Sequence, residues 1–311
     1  MSYLRSDTIS AKTPRGLLLS VIGQAGFMRF LLSTLLFLFI PNQALSAQPL
    51  KAVFEKESTV PLSNPHDLKL SPDGRYLMVS DVENNRIAIL DPDSLAMLGH
   101  FGADHQSGTH DIDFDDQGLA YVADTHNNRV AIYRMQDKQA ALIGELSESV
   151  RGPEGVLAHP NGLIYVAGAW SGNVVAYERG VKIRELGGLS SPHDLELAAD
   201  GDLWLADAGN DRVLLLSPEL VVKGELSSDK YAFRGVRYLD LMADGTLIAA
   251  DKNTHSVKFI GADGTLRLQL GNGTPSRGKY SFTTPEGVEV RGTQVWISDS
   301  GNDRVVRYRI Q

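Results

Sequence analysis

One stretch of this chain is written several times over. The segment SPHDLELAADGDLWLADAGNDRVLLL, from Ser191 to Leu216, is nearly the same text as NPHDLKLSPDGRYLMVSDVENNRIAIL, from Asn64 to Leu90. Six copies align when keyed on His66, His110, Glu154, His193, Arg237 and Glu286, which lie 44, 44, 39, 44 and 49 residues apart. Each copy reads as a short alternating run, a turn such as Ser-Pro-Asp-Gly, a second run, a tight polar loop, a third run and a fourth. Alternation at period two between such turns predicts antiparallel strands. A four-strand unit of this length is a β-propeller blade, so the chain is expected to be all-β, a six-bladed β-propeller. The last copy ends after three strands, while KAVFEKESTV, from Lys51 to Val60, belongs to no copy. This N-terminal strand is expected to complete the last blade and close the ring.

Cysteine is absent, which excludes disulfides, thiolate metal sites and a cysteine nucleophile. From Met28, the text MRFLLSTLLFLFIPNQALSA has a basic start, an apolar run to Ile40, a helix-breaking Pro41 and small residues. It reads as a signal peptide occupying residues 1–47, with Met28 as the true start, leaving residues 48–311 as the propeller. An uncleaved anchor over residues 17–40 is the alternative. Either way the body is expected outside the cytoplasm, in the periplasm or extracellular space, with no membrane span after signal cleavage. Removing the leader takes away Arg5, Lys12, Arg15, Arg29 and Asp7, so the remaining charge is more negative than the −8 of the whole chain. Such a balance repels phosphate, and nucleic acid is set aside as a partner.

The polar loops DVENNRI, DTHNNRV, DAGNDRV and DSGNDRV, together with the linker GNGTPSRGKYSFTTPEGV, resemble the NHL repeat, and the resemblance runs from about Ala52 to the end of the chain. It implies the propeller fold and leaves function open, because the fold hosts scaffolds, receptors and a few metal-dependent enzymes. The third and fifth copies, GAWSGNV and DKNTHSV, lack the arginine. In the other loops the carboxylate and amide are expected to tie down the turn, with the arginine bridging neighbouring strands.

The key column is where chemistry is expected. Strand starts, polar loops and inter-blade loops meet on one rim of a propeller, which makes a concave mouth. There the column places His66, His110 and His193 as tentative metal ligands, Glu154, Glu286 and Arg237 as candidate catalytic or ligand-binding groups, and His126 and Trp170 as loop contacts. Three neutral imidazoles can hold zinc; they can equally be capping residues inherited with the blade. The Pro-His words also resemble, more distantly, the zinc-binding segments of the peptidylglycine amidating lyase propeller. That resemblance nominates His66 and His193 and, less directly, His110, although the histidines here fall in copies one, two and four rather than in alternate copies. Strict alternation would turn Asp67 to the channel and His66 away from it, unless the pleat breaks at the strand entrance. Lower down it would line the channel with Asp113, Glu196, Asp240 and Glu289 around Lys69, a place for calcium or ordered water. The expected function is binding of a small molecule, a peptide or an envelope protein at the mouth. The alternatives are a metal-dependent lyase or hydrolase and a lactonase-like propeller enzyme.

Overall fold

The alternating runs become strands that pair only with their sequence neighbours, so each repeat closes on itself as one small sheet. In the computed structural model, which describes residues 49–311, six four-stranded antiparallel sheets form a β-propeller. The signal peptide and the alternative anchor lie outside the described residues. The innermost strands are Pro65–Leu70, Thr109–Phe114, Pro153–Ala158, Pro192–Leu197, Val236–Leu241 and Pro285–Arg291. No helix among the described residues is long and apolar enough to cross a membrane.

The ring is closed as the repeat count requires. Ala52–Glu57 pairs antiparallel with Arg304–Ile310, from Ala52 opposite Ile310 to Glu57 opposite Val306. The first strand of the chain thereby becomes the outer strand of the last blade. Two ion pairs reinforce the seam: Glu57 with Arg304, whose guanidinium is buried, and Glu55 with Arg307 at 3.0 Å.

Cohesion between blades comes from apolar side chains facing across each interface. Leu68 of blade one packs with Trp296 and Val305 of blade six, and Ile112 of blade two with Met78 and Ile87 of blade one. Full burial of each such side chain contributes about 1.5–3 kcal/mol.

Polar latches repeat beside that core. Asp124 illustrates the loop motif: its carboxylate accepts from Ser107 N at 2.7 Å, Asn127 Nδ2 and Arg129 Nε at 2.7 Å, while itself fully buried. Asp81, Asp207 and Asp299 do the same. In blade five, where the arginine is missing, Lys258 from the following strand takes over the pairing with Asp251. The residue before the arginine adopts a left-handed conformation, with φ 54° at Asn128, and its side chain accepts from the next blade. Thus Asn85 Oδ1 receives Gly108 N at 2.7 Å and Asp211 Oδ1 receives Gly235 N at 2.6 Å. Asparagine and aspartate tolerate that backbone and offer a short acceptor, which explains their place in the motif.

Candidate functional site

A β-bulge at the entrance of every innermost strand decides what faces the channel. In blade one Pro65 pairs with Asp81 and Leu68 with Val79, so His66 and Asp67 together oppose one residue. The same shift occurs at the entrance of the other five inner strands. Bulges re-aim side chains. Here the alternation is broken, and both His66 and Asp67 enter the channel instead of only Asp67.

The six key residues form a ring at the mouth, all buried except the half-buried Arg237. His66 lies edge-on to His110, with ring centroids 4.6 Å apart. His110 Nδ1 is 2.8 Å from both Gly108 O and Thr125 Oγ1. His193 Nε2 pairs with the Glu154 carboxylate, and its Nδ1 lies 2.7 Å from Ser191 O and 3.0 Å from Arg237 Nη1. Arg237 Nε stands 3.6 Å from Glu286, which also meets Lys252 Nζ at 2.5 Å. His66 Nε2 is 3.7 Å from Glu286 Oε1, beyond hydrogen-bond reach, and neither nitrogen of His66 has a hydrogen-bond partner. On the rim His126 stacks against Trp170 at 5.9 Å, the latter 50 % exposed.

Charge in this ring is divided unevenly. Burial drives the His66 imidazole down to about 3 and lowers His110 as well, so both are neutral at ordinary pH. Burial pushes Glu286 up, but its neighbours His66, Arg237 and Lys252 outweigh that and hold the carboxyl at about 2. Glu154 is likewise raised by burial, yet the adjoining His193 takes it well below the usual carboxylate range.

Beneath the ring lies a floor. Tyr238 reaches across from blade five, and its hydroxyl lies 3.0 Å from His110 O and 2.9 Å from Glu154 O, in position to donate to either. Asp67, Asp111 and Asp194 share that level, and burial raises all three carboxyls. Blades three and six have Gly155 and Gly287 there, because a Cβ would collide with the carbonyl oxygens of His193 and His66. Lower still, Lys69 Nζ sits 3.5 Å from both Asp113 and Glu196, with Asp240 and Glu289 around it. Most of these carboxylates also accept from the next blade: Asp113 from Ala158 N, Asp194 from Leu239 N, Asp240 from Val290 N and Glu289 from Leu70 N, at 2.5–2.9 Å. The acidic channel is therefore part of the seam between blades.

All six column residues thus meet at one mouth, with His126 and Trp170 at its edge. The three histidines do not converge as a ligand set: His66 and His110 keep free nitrogens, whereas His193 is engaged at both. Among the described residues no group of three or more His, Asp or Glu side chains is arranged to hold a metal ion. Sequence reasoning missed Lys252 and Tyr238. Lys252 sits in a loop that departs from the repeat text, and Tyr238 replaces the aspartate of the Pro-His-Asp-Leu word, the one visible signal for it.

The NHL repeat pattern matches residues 110–133, from His110 into the third strand of blade two. No protein of curated function matches the sequence significantly. Among solved structures, a catalytically inactive variant of virginiamycin B lyase from Staphylococcus aureus, with quinupristin, superimposes with a TM-score of 0.60 at 15% identity, covering 84% of this chain and 99% of that one. A streptogramin B lyase gives 0.59 at 15%, covering 85% and 88%, and the hydrazine synthase of Kuenenia stuttgartiensis 0.59 at 18%, covering 80% and 77%. At these identities the likeness establishes the fold.

Proposed function

We propose that this chain, an NHL-repeat six-bladed β-propeller, is an exported protein that binds a small molecule or peptide at the histidine-bearing mouth of its channel. The observation that carries this reading is His66, buried with both nitrogens unpartnered and facing a buried Glu286 across a 3.7 Å gap. Buried polar atoms without partners are costly, and a ligand that donates to one group and accepts from the other removes that cost. Arg237, whose Nε also lacks a hydrogen-bond partner, is placed to hold an anionic group, and the Trp170–His126 stack offers an aromatic surface beside His110. Thermal-shift screening of short peptides and small carboxylic acids tests the reading. Compounds that raise the melting temperature of the wild type should lose that effect in Glu286→Gln and Arg237→Met. Shifts that persist in both variants would place the site elsewhere.

A second reading, a metal-dependent lyase or hydrolase, draws on the free nitrogens of His66 and His110 and on the lyases named among the structural neighbours. It would use His66, His110 and His193 as ligands, with Glu154 or Glu286 as general base, and requires His193 to leave Glu154. Elemental analysis separates the two. Stoichiometric zinc that is lost in His193→Ala supports the enzyme, and less than about a tenth of a metal per chain supports the binding protein.

A further inference from the structure

A sizeable cavity lies away from the histidine mouth. It is a cleft of about 740 Å³ on the opposite face, between blades two and three. Its origin is one small residue. The fifth position after the entrance of each inner strand packs against the preceding blade and is Leu70, Phe114, Leu197, Leu241 and Val290 in five blades; in blade three it is Ala158. Phe114 narrows the equivalent space between blades one and two, among Tyr76 and Met78, to a pocket of about 220 Å³. With alanine there, Tyr121, Ile132, Ile143 and Ile164 line an open cleft instead of a packed seam.

The ends of the cleft differ in charge. Its inner end runs from Asp113, in the channel, along the turn carrying Asp115 and Asp116, and Glu145 stands farther out. Of the two cations that line it, Lys69 is shared between Asp113 and Glu196, and Arg179 lies on the outer turn of blade three. Asp115 is committed to its turn and to Tyr121 Oη at 3.1 Å, and Glu145 to Arg129, but the exposed Asp116 carboxylate has no protein partner.

We infer that this cleft is a second binding site, for a small organic cation whose apolar body lies on Tyr121, Ile132 and Ile143 while its ammonium group meets the acidic inner end. The volume falls in the range of small-ligand pockets, about 300–1,000 Å³. Apolar walls with an excess of carboxylates favour an amphipathic amine over a fatty acid. The site is independent of the mouth, being built from other residues on the other face.

Calorimetric titration of the full chain with n-octylammonium, n-octanoate and n-octanol tests it. Octylammonium should bind saturably and at least about tenfold more tightly than octanoate. Ala158→Phe, which writes into blade three the side chain blade two already carries, should weaken binding at least about tenfold while the melting temperature holds or rises. Should that variant fold poorly, Ala158→Val carries the same expectation with partial loss. Asp116→Asn should weaken octylammonium severalfold and leave octanol unchanged. Absence of saturable octylammonium binding, equal binding of octanoate, or full binding in a folded Ala158 variant would overturn the assignment.

Discussion

Replacing Glu289 by glutamine should make the protein more stable at alkaline pH and leave it nearly unchanged at acid pH. Glu289 is 7 % exposed in the lower channel, and burial raises its carboxyl from 4.5 to about 7, against the partial relief given by Lys69 and the Leu70 N–H. Between those two values the folded chain keeps a proton that the unfolded chain has released, so stability falls as pH rises through about 7. The cost, once both states are ionised, is about 3 kcal/mol. Glutamine keeps an acceptor for Leu70 N and has no proton to lose. Urea unfolding should therefore show Glu289→Gln more stable than wild type by about 2–3 kcal/mol at pH 8.5 and within about 0.5 kcal/mol at pH 5. His66 and His110, held neutral by burial, act in the opposite direction below their ordinary range, losing stability as pH falls, but they are common to both proteins and cancel in the difference. Equal destabilisation at both pH values would refute the reasoning, since Glu289 would then be needed as an anion beside Lys69.

Three further outcomes follow from the packing. Deleting residues 51–60 removes the outer strand of blade six and leaves the buried Arg304 without Glu57, so the melting temperature of the whole protein should fall sharply in calorimetry; an unchanged value would contradict ring closure by this strand. Asp207→Ala strips a fully buried acceptor from Ser190 N, Asn210 and Arg212, and should cost about 3–5 kcal/mol in chemical denaturation. Tyr238→Phe removes the hydroxyl facing two carbonyls across the channel, at about 1–2 kcal/mol, and should speed hydrogen exchange at the entrances of blades two and three.

Much of this architecture was legible in the text, because a blade is a local object: its four strands pair with their sequence neighbours, and only the closing strand is remote. The Asp-x-x-Asn-x-Arg loops were legible as structure for the same reason, the carboxylate and its partners lying within a few residues. The acidic lower channel followed from alternation, since Lys69, Asp113, Glu196, Asp240 and Glu289 share one phase of the pleat. The direction of His66 did not follow, because it depends on a bulge that breaks that phase. Lys252 reaches its partner in the neighbouring blade and Tyr238 reaches across the channel, relations that periodicity within one strand cannot express. The cleft beside Ala158 sits between these cases: the small residue is visible in the aligned column, but an alanine there marks a cavity only if the neighbouring blades do not close over it.

The central claim is that the ring of His66, His110, Glu154, His193, Arg237 and Glu286 is built to hold a ligand. The most direct measurement is a crystal structure of the protein with the strongest compound from the thermal-shift screen. Ligand density is expected at the mouth above Tyr238, within hydrogen-bond distance of His66 and Glu286. Density for that compound anywhere else, with His66 and Glu286 still 3.7 Å apart and unbridged, would contradict it.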